Sequence, residues 1–444
     1  MKRSSQAATT AAQGASPERG SNCPSAQPTA AQSASSGRGS SRIQTQFGNE
    51  MKFYVRNGCV YAANLFLSGT LLQTFLSSKG VSGAQIGMVL AALNMAQTIT
   101  ILLFSTVVDR VRNSVKASAI FQMFTPLFAL VMLPFTLMQG VSVDVLTGAV
   151  LLAGTVHNIF YGFYCILDYR IPYEIIDMRD YGRLNSINSV VGGVLMVAVS
   201  GLTTGLLYLF DDGPVFFCMY LFAALCMAAS TLVTKSMKTV DRPASENTGK
   251  GTGLLSTLRM RAFWSLLLPN LMRGFNNGVV GMLATVGMFE LGLSAAESSA
   301  MSIAYTVMSV AGPLAFFELQ KRVRLHNLLI VCSAVIPAAM AILTLGGSFG
   351  SFIAVYVVLM LVIGIVDNLM PVLVTRIIPY ENIGSYTSLR MGTHMAGLSL
   401  GSMAAGAALG NVPTAALLAF SGCLQLCSGL SYWMYCRRMR NEWL

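Results

Sequence analysis

The stretch VSGAQIGMVLAALNMAQTITILLFSTVVDRVRNS, Val81–Ser114, recurs in outline as LSAAESSAMSIAYTVMSVAGPLAFFELQKRVRLHN, Leu293–Asn327. Val81-Ser82 falls over Leu293-Ser294, and Asp109-Arg110-Val111-Arg112 falls over Lys321-Arg322-Val323-Arg324, each 212 positions apart. The offset reaches further, placing Asn64 over Asn276 and Tyr61 over Arg273. A second echo joins Arg170-Ile171-Pro172-Tyr173-Glu174 to Arg376-Ile377-Ile378-Pro379-Tyr380-Glu381, at a shorter offset. A long apolar chain that repeats itself halfway reads as two related helical bundles in a membrane.

Composition supports the bilayer. With 54% hydrophobic and 11% charged residues, and a mean hydropathy of +0.61, 444 residues carry too little polar surface to cover a water-soluble fold. A hydrocarbon core about 30 Å thick needs roughly 20 apolar residues per helix. About twelve runs qualify, near 53–76, 84–108, 115–137, 144–167, 185–210, 214–235, 262–289, 295–317, 326–346, 352–375, 385–409 and 413–436. They are expected to be helices because backbone groups left unpaired in lipid cost several kcal/mol each, and the strands of a barrel are much shorter. The expected fold class is therefore an all-α polytopic membrane protein of two pseudo-symmetric six-helix bundles.

The formal charge of +11 is distributed by topology and does not mark a nucleic-acid partner. One set of connections holds Asp144, Asp211, Asp212, Glu290 and Glu297 against a single Lys79. Alternate connections hold Arg110, Arg112, Lys116, Lys235, Lys238, Lys321, Arg322, Arg324, Arg437, Arg438 and Arg440. The positive-inside rule then puts both termini in the cytoplasm, with the plasma membrane as the expected location.

Residues 1–50, rich in Ser, Ala, Gln and Gly, read as a disordered cytoplasmic tail without the apolar core of a signal peptide. Met51 stands just before the first membrane run and offers an alternative start. Beyond it the expected organisation is a bundle over 51–235, a linker over 236–261, a bundle over 262–436 and a tail over 437–444. The nine cysteines lie mostly in apolar runs without CxxC pairing, so they read as small buried residues, with no metal and no cofactor expected.

The stretch Ser105-Thr106-Val107-Val108-Asp109-Arg110-Val111-Arg112 after the second run resembles the GxxxDRxGRR signature of the major facilitator superfamily. The acidic-basic pair and a following Arg are present, while Ser105 and Arg112 stand where the signature has Gly. Together with the repeat, the resemblance covers residues 51–440. It implies a secondary transporter working by alternating access, with a small-molecule substrate and a coupling ion. The GP-containing fifth-helix motif of drug-proton antiporters is missing from residues 189–205. The IPYE segment followed by YGRLNSIN resembles sugar-cation symporters of the glycoside-pentoside-hexuronide type. Those carry paired acids in the second helix, where this chain has Asn94 and Gln97.

The resemblance also implies that the first, fourth, seventh and tenth helices line a central cavity, and the polar residues fall there. The first run has Asn57, Tyr61 and Asn64, the fourth His157, Tyr161 and Tyr164, the seventh Asn270, Arg273, Asn276 and Asn277, and the tenth Asp367. Positions 57, 61, 64, then 157, 161, 164, then 270, 273, 277 share one helical face each. At about 1.5 Å per residue, Arg273 and His157 lie roughly 16 Å, and Asp367 about 13 Å, above the cytoplasmic ends of their helices. Charges near a bilayer midplane cost at least ~2.5–3.5 kcal/mol each, so Arg273 and Asp367 are expected to pair or to face water. The reading is a switchable pair in which Asp367 carries the coupling proton and Arg273 draws a polar or anionic substrate. The alternative is a permanent pair that only fixes packing. His157 is a second candidate for the proton, its ordinary pKa lying near 6.5. Tyr61, Asn64, His157, Tyr161, Asn270, Arg273, Asn276 and Asn277 form the expected substrate site.

In the family the motif acid faces the positive end of helix eleven and locks the cytoplasmic side, which implies gating by Asp109, Arg110 and Arg112 with Arg390 as an added partner. Gly397 and Gly401 on the eleventh run, and Gly201 and Gly205 on the fifth, have the small-xxx-small spacing of close helix contacts.

Without a GxxxxGKS phosphate loop the chain is not expected to hydrolyse ATP. Import of a sugar-like or anionic solute and export of a drug or metabolite both remain open. A polytopic enzyme would use Asp168, Glu174, Asp177 and Asp180, but that cluster is interleaved with arginines and partly repeated after the tenth run. A non-transporting sensor on the same fold would carry an added soluble domain. Nothing in the sequence fixes an oligomeric state.

Overall fold

The computed structural model describes residues 31–104, 111, 113–138, 140–168, 170–175, 181–239, 261–343, 348–375 and 383–442. Two units divide the chain, Met1–Thr45 and Gln46–Leu444. In the first, the described residues are helical backbone. The second holds the membrane helices.

The described regular structure is entirely helical. In order it comprises α1 (Ala31–Leu67), α2 (Thr70–Ser78), α3 (Gly83–Phe104), α4 (Ser114–Gln122), α5 (Pro126–Leu137), α6 (Val143–Asp168), α7 (Ile171–Ile175), α8 (Tyr181–Leu209) and α9 (Asp212–Ser236). There follow α10 (Arg261–Gly281), α11 (Leu283–Glu290), α12 (Ala295–Arg322), α13 (Leu325–Leu343), α14 (Phe349–Thr375), α15 (Ile383–Ala408) and α16 (Thr414–Glu442). Ten spans among these are long and apolar enough to cross a membrane. Their outward side chains are apolar, Leu152, Leu209 and Leu232 being 73%, 76% and 68% exposed. The runs expected at 262–289 and 385–409 are helical too, but α10 is loaded with Asn270, Arg273, Asn276 and Asn277, and α15 with Arg390 and His394.

Helical backbone begins at Ala31, within the tail expected to be disordered as far as residue 50. The segment from Pro28 to the first membrane run contains no further proline, so nothing in it blocks an upstream turn. Asn49 is 2% exposed and donates to the carbonyls of Ile175 and Lys238 at 3.3 and 2.7 Å, so the folded unit starts before Met51. Residues 1–30 and most of the expected linker lie outside the described residues. At the other end α16 continues through the expected tail to Glu442.

The face through which α1 enters is called here the near face, its opposite the far face. The repeat shows directly in the helices. α1 breaks before α2 at Gly69, whose φ of +73° is a left-handed conformation that a side chain resists, and α10 breaks before α11 just after Gly281, 212 positions on. The two broken helices meet there: Gln73 donates to the Gly281 carbonyl at 2.7 Å, and Thr285, its own repeat-equivalent, donates to the Gln73 side-chain oxygen at 2.7 Å. Thr74 with Ser298, and Thr204 with Ser299, extend this seam at 3.0 and 2.8 Å. These bonds, with Ser200 to Ser302 at 3.4 Å, join α2 and α8 to α10, α11 and α12 towards the far face.

Helix α10 packs on α15 through two glycine pairs, Gly274 and Gly278 against Gly397 and Gly401. A Cβ on Gly401 would collide with the Phe275 carbonyl and lie 3.1 Å from the Gly278 Cα. Gly87 of α3 meets Gly406 of α15 just as closely, a Cβ on either lying 2.6 Å from the other's Cα. The spacing at Gly201 and Gly205 belongs to no such contact, since nothing lies within 4 Å of a Cβ built on either. Their small-xxx-small pattern is one of sequence alone.

Candidate functional site

Among the described residues two Arg–Asp pairs join helices, one between α1 and α6 and one between α10 and α14, equivalent helices of the repeat. Arg56 of α1 pairs with Asp168 at the last position of α6, and Arg273 of α10 pairs with Asp367 of α14. Similar as they are in plan, they differ in how fully the guanidinium is used.

Arg56 is saturated. It is 0% exposed, and besides Asp168 it donates to Asn57 at 3.0 Å, to Thr234 of α9 at 3.1 Å and to Ser118 of α4 at 3.5 Å. Its plane lies 4.7 Å from the Tyr164 ring centre and 5.7 Å from that of Phe53. One side chain thus ties four helices together at the near face, and its five N–H donors have few directions left for a solute. The sequence reading missed it, because the stripe of Asn57, Tyr61 and Asn64 drew attention one residue away and the 212 offset put Tyr61 over Arg273. Its detectable signal was a lone arginine inside an apolar run.

Arg273 is the opposite case. Its side chain is 6% exposed and Asp367 is its one hydrogen-bond partner among the described residues, while the Asp367 side chain is 44% exposed. The carboxylate is thus the exposed partner of the pair and the guanidinium the buried one. Asn277, one turn along α10 from Arg273, is half-buried and has no hydrogen-bond partner among the described residues.

The other expected site residues divide. Tyr61 accepts from Asn188 at 3.3 Å, and Asn64 donates to the Tyr161 hydroxyl at 2.7 Å. Tyr161 lies stacked between His157 and Tyr164, with ring centres 5.7 and 5.5 Å away. His157 is 3% exposed and its Nδ1 meets the Thr125 carbonyl at 2.9 Å, where the break between α4 and α5 at Pro126 brings that carbonyl within reach. Asn270 donates to the Arg390 carbonyl at 2.6 Å and to Thr393 at 3.0 Å, so its amide spans α10 and α15. Asn276, 0% exposed, accepts from Ser421 at 2.9 Å and faces α16 rather than Arg273. Asp109, Arg110 and Arg112 lie outside the described residues. Arg390 is half-buried, and its guanidinium has no hydrogen-bond or ion-pair partner among them.

The acids weighed for surface chemistry serve the scaffold. Asp168 is taken by Arg56, and Glu174 of α7 accepts from the Ser114 backbone at 3.0 and 2.9 Å, capping α4 together with Asn113. Asp177 and Asp180 lie outside the described residues. No group of three His, Cys, Asp or Glu among the described residues is placed to hold a metal ion.

The sequence profile of the Major Facilitator Superfamily matches residues 57–402, so the chain belongs to that family of transporters and is not an enzyme. Several solved structures share the fold. The crystal structure of a mutant of the nucleoside transporter NupG superposes with a TM-score of 0.66 at 13% identity, covering 88% of this chain and 99% of that one. That of a D-xylose-proton symporter gives 0.66 at 14% identity over 88% and 97%. A bacterial homologue of the iron transporter ferroportin in an inward-facing state gives 0.64 at 14% over 89% and 99%. Comparison with curated proteins finds no match. At such identities the likeness is one of fold, and the chemistry must be argued from this chain's own residues.

Proposed function

We propose that this chain is a secondary active transporter that moves a small polar or anionic solute by alternating access, with Asp367 carrying a coupling proton and Arg273 holding the solute. The observation that carries the reading is the contrast between the two pairs. A guanidinium with six neighbours, like Arg56, is built to stay put. A guanidinium with one carboxylate partner, itself half open, can exchange that partner for a solute. Protonation of Asp367 removes the competing negative charge and frees Arg273, so solute binding and proton binding favour each other. His157 and the tyrosines beside it serve as packing and as a hydrogen-bonded wall, since the histidine's Nδ1 is committed to Thr125.

In this reading the near face is cytoplasmic, because the connections at that end hold Lys235, Lys238, Lys321 and Arg322. The polar seam around Gln73 and Thr285 closes the outside, leaving Arg273 and Asp367 to be reached from the cytoplasm. The two six-helix halves, 51–235 and 262–436, are the bodies that rock about the site. The close glycine contacts of α15 give the surface on which it moves against α3.

The test is Asp367→Asn in proteoliposomes carrying an imposed pH gradient, with a panel of labelled sugars, organic acids and nucleosides. The variant is expected to lose uphill accumulation of the transported solute and to keep exchange of internal for external solute. Accumulation equal to that of the unaltered protein would remove Asp367 from the coupling role.

A further inference from the structure

Among the described residues, the charge around Arg273 does not balance. The described ionisable groups near it are Asp367 from α14, Arg390 and His394 from α15, and Tyr432 from α16. Arg390 and His394 both lie within electrostatic range of Arg273 and of one another's neighbourhood, on successive turns of the same helix face. Two guanidinium groups thus lie in this region beside one described carboxylate, which is taken by Arg273. Arg390 has its backbone held at the level of Asn270, one turn from Arg273, and its side chain finds no acceptor among the described residues. Two further polar atoms beside it are buried without a partner, the Nδ1 of His394 and the Oδ1 of Asn270, the asparagine being 1% exposed. Buried polar atoms without partners are rare in a folded chain, and here two of them adjoin a cation that has no acceptor among the described residues.

We propose that Arg273 and Arg390 together form a binding site for a small dianion bearing carboxylate or phosphate oxygens, with His394 and Asn270 at its edge. This deepens the transport reading above and rests on it. The arithmetic selects the ligand. With Asp367 ionised, the two arginines leave one uncompensated positive charge, and with Asp367 protonated they leave two. In the protonated state that the coupled step requires, a neutral solute leaves both charges standing in the membrane, and a monoanion leaves one. A dianion bound together with a proton on Asp367 brings Arg273, Arg390 and Asp367 to neutrality, which removes the main electrostatic obstacle to moving the loaded site across the bilayer. Arginine suits such a ligand because its planar fork matches the two oxygens of a carboxylate or phosphate, which a lysine ammonium does not.

The experiment is equilibrium binding to the full-length protein in detergent, at pH 5.5 and 7.5, with succinate and glycerol 3-phosphate as dianions, lactate as a monoanion, and xylose and uridine as neutral probes. At least one dianion is expected to bind more tightly than lactate, and more tightly at the lower pH. The comparison between succinate and glycerol 3-phosphate tells carboxylate from phosphate. Arg390→Gln is expected to weaken that dianion by about 10- to 100-fold, the range for losing a hydrogen bond between charged groups, and to bring it level with lactate. Arg390→Lys keeps the charge and is expected to retain part of the difference, and its unliganded thermal midpoint checks that the fold survives. Dianions binding no better than lactate, or undiminished in Arg390→Gln, overturn the proposal. Those outcomes leave the coupling role of Asp367 standing if Asp367→Asn still loses uphill accumulation. Conversely, dianion binding that needs Arg390, beside unimpaired accumulation in Asp367→Asn, keeps the site and removes the proton role.

Discussion

Replacing each arginine in turn separates a structural pair from a working one. Arg56→Met removes an ion pair with Asp168, hydrogen bonds at 3.0, 3.1 and 3.5 Å, and two aromatic faces. Breaking a buried charge pair costs roughly 3–5 kcal/mol because one charge stays behind unpaired. Here the orphan is Asp168, whose side chain is 30% exposed and keeps some of its water, so the lower end applies, about 3 kcal/mol. Arg273→Met removes one partner from Asp367, whose 44% exposed carboxylate can hydrate or take up a proton, and the expected loss is about 1 kcal/mol. The assay is equilibrium unfolding of the purified protein in mixed detergent micelles, with solute binding measured on the same samples. Arg56→Met is expected to unfold much earlier while its folded fraction still binds solute, and Arg273→Met to unfold near the unaltered midpoint with binding lost. Equal destabilisation by the two changes, or a larger one from Arg273→Met, would falsify the division of roles.

Two further expectations concern the scaffold. Gly401→Ala drives a methyl group into the Phe275 carbonyl and should cost about 1–3 kcal/mol in the same unfolding assay, whereas Gly201→Ala, with nothing within 4 Å, should cost nothing measurable. Deleting residues 1–50 removes Asn49 and its bonds to Ile175 and Lys238, so that form should be less stable than one lacking residues 1–46, by about 1–3 kcal/mol; Asn49→Ala in the full chain should reproduce the difference.

The sequence was most readable where the physics is periodic or additive. Ten of the apolar runs and the 212-residue offset carry through into the structure, down to Gly69 and Gly281 marking equivalent breaks. Arg273 with Asp367 was legible because an intramembrane charge demands a partner and few were on offer. What escaped was direction within a helix. Asn270 and Asn276 sit within one turn of Arg273, yet one amide turns to α15 and the other to α16, a difference set by neighbouring backbones that no single helix reveals. Arg56 escaped because near a helix end an arginine can reach water by snorkelling, so its burial by Thr234, Ser118 and Asp168 depends on three other helices arriving at the same point. Gly201 and Gly205 show the converse, a spacing that suits close packing with no helix there to use it.

The most direct test of alternating access driven through Asp367 needs no knowledge of the solute. Spin labels at Asp211 and Asn411 report the far face, and labels at Lys235 and Arg322 report the near face; all four residues are exposed. Pulsed electron-electron distance measurements across a pH series should show the far-face distance lengthening as the near-face distance shortens, with the balance moved by pH in the unaltered protein and fixed in Asp367→Asn. Distances that change together, or a variant that responds to pH as the unaltered protein does, would contradict the account.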